Sequence, residues 1–164
     1  ASISGGGFRS IGMVRYIARP SAVGHDVTIS VAANQNGKSR QMGKFTFHVR
    51  KLPDPAAYIQ IGTDRFREGA LAKASLMGAQ GIKAAIDDGI LDIQFKVVSF
   101  ETVFFDNMGN AVPMASNGAN FSDRQRDTFR KLSRNKRFYI SRVTAVGPDG
   151  ITRKLPGSME IIVK

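Results

Sequence analysis

The sequence predicts a mainly β fold in two parts, the second carrying one short amphipathic helix. Three observations point to it. Apolar residues alternate with polar ones at period two in several stretches along the chain. Turn-forming pairs rich in Gly, Asn, Asp and Pro punctuate those stretches. One basic segment, by contrast, has helical spacing behind a capping signal.

The elements follow in order. "GGGFRSIG" has glycines without dinucleotide-binding spacing and reads as a flexible lead-in, and "FRSIGMVRYIA" reads as an early strand. In "HDVTISVAA", Val27, Ile29 and Val31 share one face of a strand. In "KFTFHVRK", Phe45, Phe47 and Val49 do the same, and Asn36-Gly37 between the two runs predicts a tight hairpin turn. Pro53, Asp54 and Pro55 then stop the strand. Two fixed φ angles around one Asp predict a short, stiff connector, assigned to residues 53–62. Residues 1–52 form the first part, the C-terminal portion of a β-rich domain, and residues 63–164 the second.

In that second part, "EGALAKASLMG" predicts a short helix ending near Gly78. A long β run follows. Ile93, Phe95 and Val97 share one parity, while Val98, Phe100, Thr102 and Phe104 take the other, so a bulge or bend is expected at Val97-Val98. "DNMGNAVPMASNGAN" reads as a polar loop. Ser122 and Gln125 have capping-box spacing at the head of a basic helix assigned to residues 122–135. Its seam would hold Gln125, Phe129, Leu132 and Lys136, with Arg124, Arg126, Arg130, Lys131, Arg134 and Arg137 spread over the other side. "FYISRVTAV" reads as a strand, "GPDG" as a turn and "SMEIIVK" as the last strand.

The chain has 164 residues, no Cys and a formal net charge of +11. Disulfides and thiolate chemistry are therefore excluded. No apolar run is long enough for a membrane-spanning helix, and a start at Ala1 reads as a piece of a longer protein. The positive charge gathers at the two ends: residues 1–55 carry +6, 56–120 carry −2 and 121–164 carry +7. Such a balance favours an acidic partner. Catalytic candidates are few. His25 and His48 read as surface histidines, and Asp87, Asp88 and Asp92 read as a turn rather than a calcium loop. No enzyme, metal or cofactor is expected.

Residues 122–137 hold seven Arg or Lys against two Asp. A nucleic-acid module would want stacking aromatics or base-reading motifs beside that charge, and a polysaccharide-binding β domain would want exposed aromatics. The chain has no Trp and three Tyr. Both stand as alternatives to a protein-docking face, and a solvated helix face is the plain one.

Three passages resemble the C-terminal end of the GldM/PorM family. "GKFTFHVRKLPDPAAYIQIG" is similar to the family's "FRVKxxPDP" junction, and "FKVVSFETV" to its "FxVxSF" strand. "FSDRQRDTFRKLSRNKRFYISRVTAVGPDGITRKL" is similar to its passage from a helix through a basic turn and a strand into "GPDG". Together they cover most of residues 43–164 in order. The resemblance, nearer to the PorM branch, implies immunoglobulin-like β-sandwich domains in a periplasmic shaft of the type IX secretion and gliding apparatus of Bacteroidetes. It also implies a homodimer, anchored in the inner membrane by an N-terminal helix outside this chain. That end would pair with a PorL- or GldL-type protein, and the far end would meet outer-membrane ring proteins of the PorK/PorN or GldK/GldN type. A periplasmic domain meets no nucleic acid, so Arg124, Arg126, Arg130 and Arg134 are expected as a contact face for the ring. Pro53, Asp54 and Pro55 are expected as the interdomain connector.

Overall fold

The computed structural model describes residues 1–87 and 89–164, with the backbone alone for Asp87. Two compact units divide it, Ala1–Leu52 and Pro53–Lys164. The protein is mainly β, with several sheets and few helical residues, as expected of immunoglobulin-like β-sandwich domains.

In the first unit, β1 (Ser2–Ser4), β4 (Asp26–Gln35) and β5 (Lys38–His48) make a three-stranded antiparallel sheet in the order β1-β4-β5. β2 (Gly6–Ser10) and β3 (Tyr16–Pro20) form a separate hairpin on which Phe8 stacks against Tyr16, ring centres 4.8 Å apart. The supposed lead-in and early strand are thus a hairpin, because Ile11 N–H bonds Arg15 O and turns the chain within the run. The β4–β5 turn uses Asn36 and Gly37 at φ 52° and 74°, the left-handed pair that matches strand twist. Register puts Val27 opposite Phe47 and Ile29 opposite Phe45, so the apolar residues of both strands share one face. Only Val27 in this unit is buried; Phe45 and Phe47 are each more than half exposed.

The second unit holds the main core. Its sheet, among the described residues, runs β7 (Asp64–Phe66), β6 (Ala56–Ile61), β9 (Lys83–Asp87), β10 (Asp92–Phe105), β12 (Arg137–Val146), β14 (Met159–Val163), β8 (Gly69–Leu71). β11 (Ala111–Asn117) pairs with β10, and β13 (Thr152–Lys154) pairs with β12. Pairing is antiparallel except β14 with β8. The expected bend is present: register shifts between Val97 and Ser99, leaving Val98 out of the ladder and partly exposed while Phe95, Val97, Phe100 and Phe104 are buried. A second shift follows between Ser99 and Glu101, near Arg142 at φ 51° on the facing strand.

Three expectations change. Residues 56–61, assigned to the connector, are the strand β6, with Tyr58 and Ile59 buried and paired into the sheet. The supposed polar loop contains β11; its Pro113 is tolerated because β11 is an edge strand needing no N–H on its outer side. Asp106 closes the β10–β11 turn by accepting from the N–H groups of Met108 and Asn110, both at 2.8 Å. The basic helix, α2, spans Asp123–Lys131, and Lys136 lies beyond it. The short helix α1 (Lys73–Gly78) ends where expected and buries Leu76. Asp88 and the side chain of Asp87 fall outside the described residues, so the reading of that acidic turn does too.

α2 covers one face of the sheet through Phe129, whose ring lies 5.7 Å from Phe104, 5.0 Å from Phe121 and 5.2 Å from Phe138. All four rings are buried, and edge-to-face packing of this kind adds to what area burial alone supplies. Gly81 sits where the chain segments touch. A Cβ there would stand 2.0 Å from the Ala119 carbonyl oxygen, so no side chain fits beside the Gly81–Asn120 bridge.

Candidate functional site

The basic segment is positioned by its capping box. Ser122 Oγ accepts from Gln125 N–H at 3.4 Å, and Gln125 Oε1 accepts from Ser122 N–H at 2.8 Å. Gln125 does a second task that its spacing did not reveal. It is fully buried, and its Nε2 donates to Thr102 Oγ1 at 3.0 Å and to Met114 O at 2.9 Å. One side chain thereby starts the helix and ties it to β10 and β11. At the other end, Lys73 Nζ donates to the carbonyls of Arg130 at 2.7 Å and Leu132 at 2.9 Å. Those carbonyls carry the negative end of the helix dipole and lack helical partners, so an ammonium there is doubly favoured.

The four arginines expected as one face separate in the structure. Arg124 is exposed and has no ionic partner among the described residues. Arg126 is half-buried and donates from Nη2 to Gln80 O at 3.0 Å. Arg130 pairs with Asp127 one turn back. Arg134 is exposed but lies past the helix, in the turn before β12. Asp123 and Asp127 share the exposed side of α2, so the helix face is less basic than the run of letters suggests. Arg137 is taken up by Glu160 at 3.2 Å, and Glu160 also accepts from Tyr139 Oη at 2.9 Å.

Pro53, Asp54 and Pro55 open the second unit. Pro55 is buried and Pro53 exposed. Asp54 Oδ1 stands 3.8 Å from Nε of Arg153, a residue on β13 that sequence reasoning did not single out. Arg153 is almost wholly buried. Its Nη2 donates to Asp149 Oδ2 at 2.6 Å and its Nη1 to Asp149 Oδ1 at 3.1 Å, a two-pronged pair. The guanidinium lies over the Phe95 ring, 5.5 Å from its centre. Hydrogen bonds from Arg153 and from the Ile151 N–H lower the Asp149 carboxyl from its ordinary 3.8 to about 2. The "GPDG" turn, closed by Gly150 N–H on Gly147 O at 3.0 Å, is thus locked to the sheet. The only sequence signal was an acidic turn residue four positions before a basic one, too common to mark a site.

His48 Nδ1 lies 2.8 Å from Asp26 Oδ1, and both side chains are more than half exposed. Among the described residues no three His, Asp or Glu side chains converge as a metal site would need. Among the described residues no helix is long and apolar enough to cross a membrane.

The second unit carries one largely buried ion pair, Arg153 with Asp149, and exposed cations around the end of α2. Two family models match the chain: the GldM C-terminal domain over residues 53–164 and the GldM third domain over residues 1–50. The chain belongs to the GldM family, a periplasmic, inner-membrane-anchored structural component of type IX secretion and gliding motility. No curated protein matches the chain.

Proposed function

We propose that this chain is the distal periplasmic part of a secretion shaft, on the PorM side of the family, that docks to the outer-membrane-associated ring and passes motor-driven conformational change to it. It acts without catalysis and as a homodimer. A PorL- or GldL-type membrane protein supplies the drive through the N-terminal region, and PorK/PorN- or GldK/GldN-type ring proteins receive it.

The observation that carries this reading is the junction. The family boundary falls between residues 50 and 53, and the first residues past it are not slack: Pro55 is buried, β6 begins at Ala56 and Asp54 stands beside Arg153. A load-transmitting joint needs its anchor held on the folded unit, and prolines around Asp54 restrict the backbone that leads into it. The cations of residues 124–136 supply the contact chemistry for an acidic ring surface.

The test replaces Pro53, Asp54 and Pro55 by glycine in the full-length protein in its cell. Secretion should fall while circular dichroism and proteolysis show both units folded. Unimpaired secretion with folded units would remove the mechanical role of the joint.

A further inference from the structure

Three cations gather at the C-terminal end of α2 and in the turn that follows it. Lys131, Arg134 and Lys136 are exposed, and among the described residues none has an ionic or hydrogen-bonded side-chain partner. The groups that would neutralise them are already engaged. Asp127 is held by Arg130, and Glu160 by Arg137 and Tyr139. The C-terminal end of α2 would ordinarily draw flanking cations onto its carbonyls, but Lys73, from a distant part of the chain, occupies that position on Arg130 O and Leu132 O. The flanking charges are left to solvent.

Their backbone is held firmly. Asn135 takes φ 64°, its N–H bonds Val163 O at 2.7 Å, and Val163 N–H bonds Lys136 O at 2.9 Å. The turn is stitched to β14 on one side and to the end of α2 on the other, so the three cations share a corner whose backbone costs little to order on binding.

We propose that this corner, rather than the exposed face of α2, is where the chain meets an acidic protein surface of clustered Asp and Glu side chains. The inference rests on the docking reading above and deepens it. Charge complementarity selects the partner: between the cations lie Leu132, half-buried at the end of α2, and the exposed Ser133 and Asn135, neutral and hydrogen-bonding, which suit carboxylates. The one apolar side chain among them, Leu132, is half-buried, so none of them stands fully exposed to sink into a lipid surface.

The experiment compares two triple reversals of equal charge in the full chain: Lys131→Glu/Arg134→Glu/Lys136→Glu at the corner, and Lys38→Glu/Arg40→Glu/Lys44→Glu on β5. All six side chains are exposed, and thermal unfolding checks that both variants fold. At near-physiological salt, the corner variant should bind purified ring proteins more than about tenfold more weakly than the parent, and the β5 variant less than about twofold. Equal weakening by both would mean that net charge alone is read, and would overturn the proposal. So would corner-dependent binding to phosphatidylglycerol vesicles with none to the ring proteins. If the ring proteins ignore the unaltered chain, the docking reading falls by itself. Polyglutamate then decides the corner: binding lost in the corner variant alone sustains an acidic-protein site, and indifference to that variant sinks it.

Discussion

Arg153 Nη2 donates to Asp149 Oδ2 at 2.6 Å, and with the Nη1–Oδ1 bond at 3.1 Å this pair clamps the turn between β12 and β13 onto the sheet. Its Nε faces the chain's entrance into the second unit, 3.8 Å from Asp54. A single buried guanidinium therefore braces two places that are far apart in sequence.

The pair makes a pH prediction. The Asp149 carboxyl is lowered from 3.8 to about 2, so it contributes stability that is fully present above 3.8 and lost as pH falls through about 2. Asp149→Asn should be less stable than the parent at neutral pH, and the gap should shrink across that window. Denaturant midpoints measured from pH 7 down to pH 2 check the sign; a gap constant with pH would remove the carboxylate from the account.

Asp54 tests the other end of Arg153. It is about half exposed, so solvent screens the interaction, and Asp54→Ala should cost at most about 1 kcal/mol. Hydrogen exchange at β6 should nonetheless quicken, since the start of that strand loses its tether. Unchanged exchange there would mean that Pro55 alone holds the segment.

Phe129→Ala should destabilise the second unit by roughly 3–5 kcal/mol, because it empties the space among Phe104, Phe121 and Phe138. Chemical denaturation measures this. A loss below about 1 kcal/mol would show that α2 does not close the core.

Gln125→Leu keeps the bulk but removes the donors to Thr102 and Met114 and the acceptor for Ser122 N–H. Buried groups left unpaired cost about 1–3 kcal/mol, and the first turn of α2 should fray with them. Urea unfolding with amide exchange in residues 122–126 reports both.

Lys73→Met should leave the core intact and loosen the last turn of α2, at a cost of roughly 1 kcal/mol. Faster exchange of the Leu132 amide, bonded to Thr128 O and Phe129 O, is the local readout. With Lys73 gone, the free carbonyls should also draw Lys131 or Arg134 inward, which nuclear magnetic resonance of the side chains would detect.

The local grammar of this protein was written in its residues. Asn36-Gly37 set the hairpin, the parity change at Val97-Val98 marked the bulge, and Ser122 with Gln125 marked the start of α2, because each depends on neighbours within a few positions. β11 was not legible: its Pro113 and surrounding glycines and asparagines read as loop, and only pairing along the free edge of β10 makes it a strand. Tertiary structure also decided which charges count. Six of the seven cations in that run were expected on one side of the helix, yet Gln80, Asp127 and Glu160 engage three of them and Lys73 displaces others from the helix end. Arg153 shows the same limit, since nothing local announces a buried cation braced by Asp149 and set beside Asp54. Backbone preference is a property of short stretches. Whether a charge is free depends on what the fold brings across to meet it.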